Sequence, residues 1–181
     1  MSTPRKVPTA KGLPKGAQVI PVPYSTMDHF DQLFISFMNE GETGYQKVEK
    51  QPLMDILNDN LKMVDLIRKG ISYAVFAAIQ KVLPLTVTDW EEILNLNMRS
   101  VMRYKTHGKS FKPIQSEKIL QIVHIYALGL EVFGDKNKLN NWLIASSFAL
   151  GSRKPVDLLK DSYGQQLLIN ELTRISYGIF V

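Results

Sequence analysis

Between Ile93 and Ser116 the chain carries Arg99, Arg103, Lys105, Lys109 and Lys112 and no carboxylate. A one-sided stretch of cations calls for an anionic partner, and a nucleic-acid backbone is the commonest one. Arg99 and Arg103 are four residues apart, so on a helix they share a face and can enter one groove together. There a guanidinium can donate two hydrogen bonds to a guanine edge. Asn97 and Ser100 accompany them as polar side chains within reach of bases. Tyr104, Lys105, Lys109 and Lys112 fall where the flanking phosphates would be. Met98, Val101 and Met102 are the apolar residues expected to hold such a helix to its scaffold. A solvated basic hairpin would share this charge, but five cations over one short helix and its following loop favour DNA binding.

Chemistry of other kinds finds little support. The chain has no cysteine, which excludes disulfides, thiolate metal sites and thiol nucleophiles. His29, His107 and His124 are far apart and lack carboxylates at metal-ligand spacing. Ser146 and Ser147 lack the glycines of a nucleophile elbow, and no glycine-rich phosphate loop is present. The reading is therefore of a protein that is not an enzyme and holds no metal or cofactor. His124 is expected to be partly covered structure, and His107 lies in the basic loop.

The elements that must position these residues are helical. The first 27 residues contain five prolines, Arg5, Lys6, Lys11 and Lys15, and no acid, and they read as a flexible basic arm. From about Phe30 the apolar residues take helical spacing. Leu53, Ile56, Leu57, Leu61, Val64 and Ile67 predict one amphipathic helix opened by Pro52 and closed by Gly70. Ile71 to Val82 predicts a second, stopped by Pro84. Thr88 and Glu91 match a capping box opening a short helix to about Leu94. After the Asn95-Leu96-Asn97 turn, Met98 to about Lys105 forms another short helix.

A long helix is expected from Ser116 to about Gly134, with Ile119, Ile122, Val123, Tyr126, Leu130 and Phe133 inward, and then a helix capped by Asp135. Gly151 and Pro155 mark a loop leading to a turn at Asp157 to Leu159. Gly164 is expected to precede a final helix with Leu168, Leu172 and Ile175 inward. The fold class is all-α. The division is 1–27 arm, 28–70 helical extension, 71–134 helix-turn-helix DNA-binding and dimerisation domain, and 135–181 C-terminal domain. No apolar run reaches the roughly 20 residues of a bilayer span, and no secretory leader is evident, so the expected location is cytoplasmic. The last residues, Tyr177-Gly178-Ile179-Phe180-Val181, are unusually apolar for a terminus and suit docking on the protein's own core or insertion into a partner.

The order WL, ALG, P-x-DLL, G and L-x-RI-x-x-G over residues 142–178 resembles the toxin-binding domain of the Xre/MbcA/ParS antitoxins, which are encoded beside RES-domain toxins. The block from Ile71 to Asp135 is similar to the helix-turn-helix part of that family, including Arg99-Ser100-Val101-Met102-Arg103-Tyr104 and Glu131-Val132-Phe133-Gly134-Asp135. The resemblance does not reach the first 50 or so residues.

It implies an antitoxin that neutralises a RES toxin, which depletes NAD+, by covering the active-site entrance with its C-terminal domain. It also implies a dimer that binds operator DNA in its own promoter. The toxin-facing residues would be Leu150, Gly151, Ser152, Arg153, Lys154, Pro155, Arg174, Tyr177, Gly178, Ile179, Phe180 and Val181. Trp142, Leu143, Leu158, Leu159, Leu172 and Ile175 would form the core beneath. Ser152 stands where the family often has a second glycine, and Tyr177 where a histidine is common. A stand-alone helix-turn-helix repressor without a toxin is the alternative.

Overall fold

The computed structural model describes residues 53–178, and these are helical with no strand among them beyond an isolated pairing of Ser147 with Arg153. The all-α expectation holds. The basic arm, residues 28–52 and the terminal Ile179, Phe180 and Val181 lie outside the described residues.

Where one helix was expected after Pro52 there are two, α1 (Leu53–Leu57) and α2 (Asn60–Lys69). Asp59 separates them. Its backbone is extended and its carboxylate accepts from the amides of Leu61 and Lys62 at 3.1 and 3.2 Å, so it caps a new helix and ends the old one. The apolar stripe breaks at the same point: Leu53, Ile56, Leu57 and Leu66 are buried, whereas Leu61 is 78% exposed.

Helix α3 (Tyr73–Val82) is capped by Ser72. Helix α4 (Val87–Leu94) starts at Thr86, two residues before the expected cap at Thr88. The reciprocal pair is Thr86 with Asp89: the Asp89 amide donates to the Thr86 hydroxyl at 3.1 Å and Asp89 Oδ2 accepts from the Thr86 amide at 2.9 Å. Both registers offer Thr-x-x-acid, and this one leaves Glu91 free to do something else. Helix α5 (Met98–His107) runs two residues past its expected end, to Gly108 at φ +60°.

The long helix α6 (Pro113–Phe133) begins three residues before Ser116, because proline at the first helical position needs no amide partner. Ser116 is instead buried inside the first turn. Its hydroxyl accepts from the Ile71 amide at 2.9 Å and donates to the Phe111 carbonyl at 3.3 Å, while the Phe111 amide donates to the Ile71 carbonyl at 2.8 Å. Three hydrogen bonds satisfy the buried polar groups of one junction. Helix α7 (Lys136–Ile144) is capped by Asp135 as expected. A single 3-10 turn (Phe148–Leu150), α8 (Pro155–Leu158) and α9 (Ser162–Ser176) follow. Gly164 lies inside α9 and not before it, because Asp161 is the cap and accepts from the Gly164 amide at 2.7 Å.

Two apolar clusters share α6. The first gathers α1 to α5 around Phe76, Trp90, Phe111 and Ile119, and takes Leu139 and Leu143 from α7. Phe76 meets Trp90 and Phe111 edge-on, each at 5.0 Å between centroids, contacts typically adding about 0.5–1.5 kcal/mol beyond burial. The second joins Ile125 of α6 to Leu150, Val156, Leu158, Leu159, Leu168 and Leu172. Trp142 packs against both, and Ile175 is only half-buried.

The Tyr126 hydroxyl pins α6 to α7, donating to Asn140 Oδ1 at 2.9 Å with the Val82 carbonyl at 3.3 Å. Burial pushes this phenol up to about 12, against the smaller opposing effect of the Asn140 bond. In the unfolded chain it titrates near its ordinary value of 10. Its folded value is raised, so its contribution is fully present below about pH 10 and is lost as pH rises towards 12. The stability difference between the native protein and Tyr126→Phe is expected to shrink by on the order of 2 kcal/mol across that window, measured by denaturant titration at successive pH values. A constant difference would show that this hydroxyl is not held neutral by the fold.

Candidate functional site

Helices α4 and α5 meet at the expected three-residue turn. Asn95 adopts the left-handed conformation at φ 49°, which asparagine tolerates, and Asn97 caps α5 by accepting from the Ser100 amide at 2.8 Å. Glu91 reaches from α4 across the turn and accepts from the Met98 amide. The first helix thus caps the second through a charge-assisted bond that fixes their mutual angle. At the same end of α4, the Lys118 ammonium donates to the Ile93 carbonyl at 2.7 Å and ties the pair to α6.

On α5, Val101 is buried and Met98 and Tyr104 pack against the first core. Tyr104 stacks on Phe111 at 4.4 Å between centroids, so its ring belongs to the scaffold and not to the phosphate flank foreseen for it. Met102, foreseen as scaffold, lies exposed, with the Tyr73 hydroxyl 3.6 Å from its sulfur. The inward stripe follows spacing 98, 101 and 104. Arg99, Arg103 and Lys105 are exposed on the other side, Ser100 is half-buried, and Lys109 and Lys112 are exposed beyond the helix. Asn97 is exposed, with its oxygen engaged in the cap and its amide group still available to donate. His107 Nδ1 bonds the Arg103 carbonyl at 2.8 Å. The face therefore joins two guanidinium groups one turn apart to a following cationic loop.

The second candidate surface lies on the C-terminal unit. Residues 147–153 form a closed loop: the Ser147 amide donates to the Arg153 carbonyl at 3.0 Å and the Ser152 amide to the Ser147 carbonyl at 2.9 Å. Gly151 and Ser152 turn it with φ of +68° and +59°. Serine holds a conformation here that glycine adopts more easily. The loop exposes Ser152, Arg153 and Lys154, and lifts Phe148 to 82% exposure. Leu150 and Pro155, foreseen on this surface, are buried beneath it, Leu150 within the second core. On α9, Arg174 is half-buried and pairs with Glu171 at 3.0 Å, while Tyr177 and Gly178 are exposed.

Residues 128–178 match the family model of the antitoxin Xre/MbcA/ParS C-terminal toxin-binding domain. The C-terminal unit is similar to the toxin-binding end of the Xre/MbcA/ParS antitoxins. The chain is 29% identical over 119 residues to an antitoxin Xre of Yersinia enterocolitica, covering 65% of this chain and 80% of that relative. The matched segment begins on the last turns of α6, the helix to which both apolar clusters are packed.

Four residues of the unit escaped sequence reading. Phe148, Tyr163 at 87% exposure and Leu167 are large exposed apolar or aromatic side chains. Tyr163 and Leu167 each sit beside a buried residue and Phe148 lies two before buried Leu150, and spacing alone does not say which residue turns outward. The fourth is Lys160, which bonds Asp89 Oδ1 at 2.9 Å and Glu92 Oε2 at 2.7 Å and so joins the C-terminal unit to α4. These bonds, to Glu92 first and then Asp89, hold the ammonium well above the usual lysine range. Burial pushes Asp89 up, but the bonds from Thr86 and Lys160 outweigh it and its carboxyl lies below the usual range. Half-buried His124 is held low by burial, as partly covered structure should be. Among the described residues no cluster of His, Asp and Glu could hold a metal ion, and no helix is long and apolar enough to cross a membrane.

Proposed function

We propose that this protein is the antitoxin of a toxin–antitoxin pair: its C-terminal unit covers the active site of a RES-domain toxin that consumes NAD+, and its α4–α5 pair binds operator DNA to repress its own promoter. The observation that carries the first half is the match of residues 128–178 to a toxin-binding domain. Phe148, Tyr163, Leu167 and Tyr177 supply exposed apolar and aromatic area of the kind that anchors interfaces, with Arg153 and Lys154 beside Phe148. The second half is supported by Arg99 and Arg103, exposed on a rigidly capped helix. A homodimer would present two such helices to two half-sites. The protein binds its partners in a cytoplasmic setting and performs no catalysis of its own.

Co-expression with the product of the neighbouring gene, with NAD+ monitored, tests the reading. The full chain is expected to co-purify with the toxin and preserve NAD+. A chain ending at Thr173 is expected to lose protection while keeping DNA affinity. Phe148→Ala, made on an exposed side chain, is expected to weaken the complex about tenfold or more without lowering the melting temperature. Equal protection by the full and shortened chains would refute the proposed occlusion.

A further inference from the structure

The segment ahead of the helix pair carries Asp55, Asp59, Lys62 and Asp65 and ends with Arg68 and Lys69 in the last turn of α2. That turn ends at Gly70, with φ +82°, where a Cβ would lie 2.4 Å from the Phe111 carbonyl oxygen and 3.1 Å from Ser110 Cβ. The next residue is bonded across the same junction, Phe111 amide to Ile71 carbonyl at 2.8 Å. The end of α2 is therefore in backbone contact with the loop that leaves α5 and carries exposed Lys109 and Lys112. A second link runs alongside, with the Tyr73 hydroxyl 3.6 Å from the Met102 sulfur and the Lys105 ammonium 5.9 Å from the Tyr73 ring. The backbone thus brings the last turn of α2, with Arg68 and Lys69, beside the loop that carries Lys109 and Lys112. Arg68 is exposed and has no ion-pair partner among the described residues. The carboxylate nearest in sequence is Asp65, about one turn back and exposed.

We propose that the end of α2, Arg68 with Lys69, is a second phosphate grip on duplex DNA, holding the backbone beside the groove that α5 enters. The proposal rests on the DNA-binding reading above and gives the segment before the helix pair a role in it. Cations in a last turn also suit the helix dipole, a role that affects stability and leaves salt dependence untouched.

The test uses the full chain and a duplex copied from the region upstream of its own gene, titrated at several salt concentrations. For R68Q/K69Q the slope of log affinity against log salt is expected to fall by about 1–2, with about tenfold weaker binding at low salt. Lys62→Gln, at the other end of α2, is expected to leave the slope unchanged. If the double variant folds poorly, Arg68→Gln alone is expected to lower the slope by about 1. A native slope in a folded variant overturns the proposal while leaving the α5 interface standing. A native protein without salt-dependent affinity overturns the DNA reading, and this inference with it.

Discussion

Gly164→Ala is expected to destabilise the protein by about 3 kcal/mol or more and to loosen the C-terminal unit selectively. Gly164 is buried in the first turn of α9, where the helix crosses the end of α8. A Cβ there would lie 2.3 Å from the Leu158 carbonyl oxygen and 2.9 Å from both the carbonyl carbon and Cα of Leu158. These are backbone atoms, so no rotamer change relieves the clash and one helix must move. The movement disturbs Leu158, Leu159, Leu168 and Leu172 together, and with them the bond from Gln165 Nε2 to the Leu159 carbonyl at 2.9 Å. Gly129 makes a useful comparison, because its Cβ would meet the Leu139 side chain, which can rotate. Thermal melting should drop by roughly 10 °C, and amide exchange should rise in α8 and α9 ahead of α3 to α5. Unchanged melting would mean that the close approach of α9 to α8 does not exist in solution.

Replacing Arg99 and Arg103 together by Ala is expected to reduce operator affinity about 100-fold or more. A well-formed base or phosphate contact is worth about 1–3 kcal/mol, and both guanidinium groups stand exposed on one face of α5. The fold should tolerate the change, because the helix is held from its other side by Val101, Met98 and Tyr104, and at its start by Asn97 and Glu91. Mobility-shift or anisotropy titration against the upstream duplex reads the loss, with circular dichroism to check the helix. Native affinity in the folded double variant would leave α5 as a solvated basic face. The C-terminal unit could still neutralise a toxin, since nothing in its exposed surface depends on Arg99 or Arg103.

Local sequence by itself determined much of this protein. The Asn95-Leu96-Asn97 turn, the Asp135 cap and the helix end at Gly134 were legible because in each case a side chain or a left-handed backbone acts on its immediate neighbours. The acid-free window around α5 was legible because charge needs no partner to be counted. Other features needed the tertiary structure. Thr86 and Thr88 offer equivalent caps, and only the packed core decides between them. Spacing placed the inward face of α5 on Met98, Val101 and Met102, whereas the presence of Phe111 against the helix turned Tyr104 inward and Met102 out. Leu150 and Pro155 carry the family motif yet lie under the surface, and Phe148, beside them, carries the exposure. Lys160 joins the C-terminal unit to α4, and Gly70 joins α2 to the loop after α5. Both contacts link residues far apart along the chain, and a contact of that kind has no local pattern: it exists only when the core brings its two ends together.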